Sequence, residues 1–405
     1  MAKEEISVVG MGMVTSLGYD VKETWDNLCI GKNGIKEITG FDASKLDTQI
    51  AAEVSETEID QRIKQLFGKR ECKQMTKNTK MGLLAASEAI DKSGILEDDI
   101  DKSRVCVIMG VVSTNNKELD EKSSSHYIVK TMPNSISAWL TIRYGFEGPN
   151  FNVSTACASS AYAIILGRHL IQSGLVDIAI VGGSDASVDE KYISGFNQLL
   201  AMSSNNDPET ACCPFTSKRD GFVMGEGAGV LVLESTTHAT MRQHSKHYAQ
   251  LSGSAFTSEA ADITAPKKDG VGMCKTIEMA LQDASLSYDR IDYINAHGTS
   301  TYLNDKYETM AIKQCFHENA KQISISSTKS MIGHTVAACG AIESIVTIKS
   351  LIHGIITPTI HYEYPDEDLD LDYTPNVSKN RSIQYAMTNS FGFGGHNACI
   401  IYKKL

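Results

Sequence analysis

The 405-residue sequence has no CxxC pair among its ten cysteines and no surplus of Lys and Arg. It has no apolar stretch approaching the roughly 20 residues a bilayer span needs, and no apolar region behind its Met-Ala-Lys-Glu-Glu-Ile start. Each absence removes a class. Scattered cysteines, with only Cys212 and Cys213 adjacent, exclude a zinc ribbon or a thioredoxin-type pair and leave reduced thiols as the reading. A net charge of -11 argues against a broad nucleic-acid surface, because such surfaces need excess cations to neutralise phosphates. Without a span or a signal peptide, a cytoplasmic protein is expected. Gly10-Met11-Gly12 lacks the third glycine of a dinucleotide fingerprint. The glycine-dense residues 220–229 have no Lys-Ser or Lys-Thr behind them, so they read as a tight structural loop and not as a phosphate cradle.

What is present is globular usage, 42% hydrophobic and 21% charged, in a chain long enough for two or three domains or one duplicated architecture. Residues 6–11, 105–110, 151–154 and 176–182 are short β-branched or apolar runs ending at Gly or Ser, as buried strands do. Residues 77–92, 158–173 and 271–285 have helical length, and Met273, Ile277, Leu281 and Ala284 recur on one helical face. Alternation of the two predicts an α/β fold with mostly parallel sheets. Ser7-Val8-Val9-Gly10 opens the first half much as Ala249-Gln250-Leu251-Ser252 opens a second, which suggests two pseudo-duplicated halves, 1–245 and 246–405, with a site between them.

Three distant stretches carry the chemistry: Ser154-Thr155-Ala156-Cys157-Ala158-Ser159-Ser160, Asn295-Ala296-His297-Gly298-Thr299-Ser300-Thr301, and Ser327-Thr328-Lys329-Ser330-Met331-Ile332-Gly333-His334. They supply one thiol, two imidazoles and one ammonium, a set suited to covalent catalysis. Small residues flank Cys157 and an apolar run follows it, as expected of a nucleophile at a strand-to-helix turn. There the helix N-terminus would lower the thiol pKa and populate thiolate without a dedicated base. A free Cys is usually a core residue, and Cys339 reads as one; the company of His297, Lys329 and His334 separates Cys157 from it. Residues 389–397, Asn-Ser-Phe-Gly-Phe-Gly-Gly-His-Asn, read either as a hairpin turn or as a loop whose rings gate a site while a free N–H serves an oxyanion.

Taken with Arg-Asp-Gly-Phe-Val-Met-Gly-Glu-Gly-Ala-Gly at 219–229, these motifs resemble those of the elongating β-ketoacyl-[acyl carrier protein] synthases of the thiolase superfamily, over essentially the whole chain. The resemblance implies a thiolase-like five-layered αβαβα fold, a dimer, and carbon–carbon bond formation between an acyl thioester and malonyl-[acyl carrier protein], with no dissociable organic cofactor. It implies that Cys157 carries the acyl group and that the N–H groups of Cys157 and Phe393 hold the oxyanion. His297 and His334 would stabilise the enolate left by carbon dioxide, with Lys329 and Glu343 orienting the pair. Thr299 and Thr301 would contact pantetheine, Phe391 and Phe393 would form a gate, and Ser113 would lie on the substrate wall. Lys69, Arg70, Lys73 and Lys77 match a docking patch for the acidic carrier, and Asn295, Glu343, Thr388 and Asn397 a structural cation site.

Several departures from the family pattern leave chain length and pathway open. Cys213-Pro214-Phe215-Thr216 stands for Arg-Pro-Phe-Asp, Asp262 for a His, Gln74 for a Lys, and the segment from Ser113 to Met132 reads as shortened. A specialised polyketide or secondary-lipid ketosynthase therefore stands beside fatty-acid elongation, and a heterodimer beside a homodimer. A non-catalytic chain-length partner would lack Cys157. A thiolase would use a second Cys where the glycine-rich loop here has none.

Overall fold

The computed structural model describes residues 4–113 and 126–405. Ten strands form one continuous sheet: β1 (Ile6–Thr15), β2 (Val105–Gly110), β3 (Asn150–Val153), β4 (Ile178–Asp185), β5 (Gly227–Ser235), β6 (Ala249–Ser258), β7 (Tyr293–Asn295), β8 (Ser324–Ser326), β9 (Tyr385–Gly392) and β10 (His396–Lys403). Their order is β8-β7-β9-β10-β6-β1-β5-β4-β2-β3. The two halves meet where β1 pairs with β6 through Ser7↔Gln250 and Val8↔Ala249. Outward from that seam, β1-β5-β4-β2-β3 and β6-β10-β9-β7-β8 both run antiparallel, antiparallel, parallel, parallel. The same pairing sequence on both sides is a pseudo-twofold arrangement.

The mostly parallel sheet expected from the alternating pattern is corrected. Five of the nine strand pairings are antiparallel. Strands β9 and β10 are joined by only the short turn Phe393–Gly395, and a connection that short can close only an antiparallel pair.

Strand alternation sorts side chains into layers. From β1, Val8, Met11 and Met13 enter a central core while Val9 and Val14 enter an outer one; from β10, Ala398, Ile400 and Tyr402 face the centre and Cys399 and Ile401 a second outer core. Helix α1 (Lys77–Ser93) covers the first outer face, started by the Thr76 side chain accepting from the Thr79 N–H. Helices α3 (Val271–Asp283) and α4 (Tyr302–Phe316) cover the second. Between the sheet halves lie α2 (Ser159–Gln172) and α5 (Cys339–His353). The result is α1, sheet, α2 with α5, sheet, α3 with α4: the five-layered αβαβα fold.

The central layer explains an apolar stretch that escaped the hydropathy reading. Residues 336–353 are long and apolar enough for a span by composition, yet 83% of that window is buried inside the protein. A helix packed between two sheets is apolar on every side. It approaches α2 closely at Gly340, where a Cβ would fall 2.8 Å from that of Ala161.

Candidate active site

Cys157 lies at the turn between β3 and α2, where Ala156 adopts φ +49. The Ala158 N–H donates to the Thr155 carbonyl and the Ser159 N–H to that of Ala156; the Ser159 hydroxyl accepts from the Thr155 N–H. This bonding holds the non-glycine positive φ in place and turns the thiol out at the end of the helix. The β9–β10 hairpin lies directly against it. A Cβ at Gly392 would come within 2.9 Å of the Thr155 oxygen and 3.2 Å of the Cys157 nitrogen, so only glycine allows the approach. The Phe393 N–H consequently reaches the thiol. Residues 389–397 form the hairpin turn, and within it the Phe393 N–H faces the Cys157 thiol.

His334 is placed from two directions. Gly333, at φ +65, ends a short helix Lys329–Ile332, and the Asp220–Glu226 loop then grips the backbone: the His334 N–H donates to Val223 and the Gly225 N–H to His334. The loop read as structural thus positions a site residue, and its Phe222 ring stands edge-on to the His334 ring at 5.3 Å. His334 Nε2 lies 3.0 Å from Cys157 Sγ. The His297 ring is perpendicular to that of His334 at 5.4 Å, and Lys329 Nζ lies 3.4 Å from His297 Nδ1. Since an ammonium only donates, Nδ1 accepts and the proton of neutral His297 is on Nε2. Lys329 in turn pairs with Glu343, both 1% exposed.

Burial pushes the Cys157 thiol up to about 11, against the opposing pull of the Lys329 charge and the Phe393 N–H. The ready thiolate expected from the helix N-terminus is therefore corrected: the enclosed site disfavours the anion more than the helix end favours it, and the thiol faces an imidazole that can take its proton. Burial, reinforced by Lys329, holds His297 and His334 well below the ordinary value of 6.5. The Glu343 carboxylate keeps the Lys329 ammonium charged despite the cost of burying it.

The neutral imidazoles carry a pH consequence. An unfolded chain takes protons on these rings near pH 6.5 and the native protein does not, so their stabilisation is fully present above that pH and lost below it. The loss is up to about 1.4 kcal/mol per pH unit for each ring. Urea midpoints should fall between about pH 7.5 and about pH 5.5, and a His297→Asn/His334→Asn variant should show a shallower fall. Equal slopes in the two proteins would contradict the assignment.

A pocket of about 490 Å³ opens onto this group, lined by Cys157, His297, His334, Thr299, Thr301, Phe391 and Phe393, with Val112, Phe196, Phe222 and the 264–266 turn completing the wall. Thr299 Oγ1 and Thr301 Oγ1 are 2.8 Å apart. Ser113 does not join the wall. Its neighbour Val112 does, at a bend just beyond β2, and the Ser113 carbonyl accepts from the Asn78 amide. Most of the segment expected to be shortened, residues 114–125, lies outside the described residues.

Lys69, Arg70 and Lys73 are exposed on and beside the short helix Lys69–Cys72. Lys77 is not part of that surface: it is nearly buried and pairs with Glu226 on the His334-gripping loop. Among the proposed cation ligands, the buried oxygens Asn295 Oδ1, Glu343 Oε2 and Thr388 Oγ1 have no hydrogen-bond partner among the described residues, and Thr388 is in register with Asn295. Three orphaned oxygens on one side of the sheet fit a hard cation. Asn397 is not with them, since it stands near the end of β10 and its amide donates to Glu259.

Sequence reasoning missed Glu308. Its buried carboxylate accepts from the N–H groups of His297 (2.9 Å) and Gly298 (2.8 Å) and from the Asn389 amide (3.2 Å), so it pins the His297 turn to the hairpin strand. A Glu on the buried face of α4, just after Asn304 and Asp305, was the available sign. Cys339, read as packing, donates from Sγ to the Cys157 carbonyl at 3.1 Å.

The sequence profile of the "Beta-ketoacyl synthase, N-terminal domain" matches residues 3–239, and that of the "Beta-ketoacyl synthase, C-terminal domain" matches residues 248–363. The chain belongs to the β-ketoacyl synthase family. It is 38% identical to 3-oxoacyl-[acyl-carrier-protein] synthase 2 of Staphylococcus aureus, over 99% of this chain and 98% of that one, and 36% identical to the protein of the same name from Synechocystis, over 100% and 99%. Among solved structures it is similar to a type II polyketide ketosynthase in complex with its acyl-carrier protein and bound to a hexaketide (TM-score 0.89, 32% identity, 100% of both chains). It is also similar to a β-ketoacyl synthase from Burkholderia phymatum (TM-score 0.89, 29% identity, 99% of this chain and 100% of that one).

Proposed function

We propose that this ketosynthase condenses an acyl group carried on Cys157 with malonyl-[acyl carrier protein], releasing carbon dioxide and giving 3-oxoacyl-[acyl carrier protein], in fatty-acid elongation. The observation that carries this reading is the convergence of a thiol, two neutral imidazoles and a hairpin N–H at the inner end of one pocket. In acyl transfer, His334 Nε2 takes the Cys157 proton, Sγ attacks the thioester carbon, and the N–H groups of Cys157 and Phe393 receive the oxyanion. The carrier thiolate leaves and takes that proton from His334 Nε2. In the second half, carbon dioxide departs from malonyl, and the enolate oxygen accepts from His297 Nε2–H and from the Nε2–H tautomer of neutral His334, which no longer faces a thiol. The carbanion attacks the acyl carbon and Cys157 leaves as thiolate, protonated again from its surroundings. The balance needs no organic cofactor beyond the carrier's own phosphopantetheine. Lys329 and Glu343 act behind His297, and Thr299 with Thr301 contact the pantetheine arm.

The carrier docks on the exposed Lys69, Arg70 and Lys73. The proposed assembly is a homodimer, supported by the exposed sheet edge: among the described residues edge strand β3 pairs only with β2, and Phe151 and Ile142 are exposed. The proposed compartment is the cytoplasm. A heterodimer would use the same edge. Specialised polyketide synthesis is the second reading, supported by the similar polyketide ketosynthase structure. Incubation with a ladder of acyl carriers, followed by intact mass and then malonyl carrier, tests the proposal. One acyl group on Cys157 and one elongation per turnover are expected. Repeated extension without reduction would favour the polyketide reading, and acylation elsewhere would overturn both.

A further inference from the structure

Helices α3 and α4, which cover the C-terminal half of the sheet, bring two thiols together away from the catalytic pocket. Cys274 Sγ and Cys315 Sγ are 2.7 Å apart, across 41 residues of sequence. Cys315 Sγ is also 3.2 Å from the Cys274 carbonyl, so its S–H has two acceptors on the same residue. Both side chains are nearly covered, yet Glu278, one turn further along α3, is exposed, and its carboxylate lies within 4.8 Å of both sulfurs. The pair is therefore just beneath the surface and within reach of a small oxidant.

We infer that Cys274 and Cys315 are a reversible modification site, a dithiol that a hydroperoxide converts to a disulfide linking α3 to α4. The two sulfurs have different parts in the reaction. Hydrogen bonding from Cys315 holds the Cys274 thiol below its ordinary range, whereas burial pushes Cys157 up to about 11. Cys274 thiolate attacks one peroxide oxygen, the O–O bond breaks, and hydroxide leaves to take up a proton, giving the sulfenic acid. The Cys315 sulfur then attacks the Cys274 sulfur, the S–O bond breaks, and water leaves with the Cys315 proton. Two thiols and one hydrogen peroxide become one disulfide and two waters. The link fastens α4, which carries Glu308 beneath the His297 turn, to α3, whose Met273 is in the pocket wall. The nucleophile is not consumed.

The test uses the full-length protein, oxidised with a slight excess of hydrogen peroxide, alkylated, digested without reduction and mapped by mass spectrometry. The expected product is the Cys274 peptide joined to the Cys315 peptide, lighter by two hydrogens and separated again by dithiothreitol. It should accumulate before Cys157 loses its capacity for acylation, and the oxidised protein should melt at a higher temperature than the reduced one. Cys274→Ser and Cys315→Ser should each lack the linked peptide while retaining condensing activity, which shows that they fold. Alkylation of both thiols after peroxide, independent oxidation of each to sulfinic acid, or protection that a chelator removes would overturn the inference; the last outcome would indicate a bound metal ion in place of a disulfide.

Discussion

Cys157→Gln is expected to lower condensation by about 10⁶-fold, as loss of a nucleophile does in other covalent sites, and to leave a malonyl-carrier decarboxylase. No sulfur remains to accept the acyl group, so the first half-reaction stops. The groups proposed for the second half are untouched: His297 keeps its Lys329 contact, His334 keeps its grip from Val223 and Gly225, and the Phe393 N–H stays at the end of the hairpin. The Gln amide oxygen can occupy the place of an acyl thioester oxygen and present a false acylated state. Adding His297→Ala or His334→Ala should then lower decarboxylation by roughly 10²–10³-fold, the loss typical of one oxyanion donor. Acetyl carrier formed from malonyl carrier measures both effects. Undiminished decarboxylation in the double variants would mean that the imidazoles do not hold the enolate.

Glu308→Ala is expected to be the most damaging change outside the pocket. It leaves the buried N–H groups of His297 and Gly298 and the Asn389 amide without their acceptor. An unsatisfied buried donor costs about 1–3 kcal/mol, so the combined loss is on the order of several kcal/mol. The turn carrying His297 would shift, and decarboxylation should fall with it. Glu308→Gln, which keeps an acceptor oxygen, should restore part of both. The discriminating measurement is kcat against KM for malonyl carrier at a temperature where the variant is folded: a positioning role lowers kcat, whereas a purely structural one lowers only the urea midpoint. A stable Glu308→Ala protein with normal kcat would remove Glu308 from the site.

The residues that do chemistry were legible because each is embedded in a local pattern that chemistry imposes: small neighbours around Cys157, a strand end before His297, a glycine turn between Lys329 and His334. Helix α2 was legible as the apolar run after Cys157, and the strands as short β-branched ones. Other features were not, since they depend on which distant segments meet. Lys77 reads as one more cation in a basic run until folding sets it beside Glu226, 149 residues away. Ser113 and Val112 are adjacent in the chain, and only folding sets Val112 in the pocket wall and Ser113 outside it. Glu308 looks like any helical Glu until the strand bearing Asn389 and the His297 turn close over it.

By itself, then, the sequence determined the covalent chemistry, the α/β alternation and the apolar helix after Cys157, all of which follow from residue types and periodicities within a few turns of chain. The tertiary structure decided the antiparallel seam of the sheet, the protonation of the site and the partners of its buried charges. Desolvation is a property of the enclosure and not of the residue: the thiol at the β3–α2 turn is pushed up because β9, β10 and the His334 turn close round it and leave it open only to the pocket. The same enclosure keeps both imidazoles neutral and makes the Lys329–Glu343 pair possible, because in a dry interior a charge persists only where folding has brought its counter-charge against it.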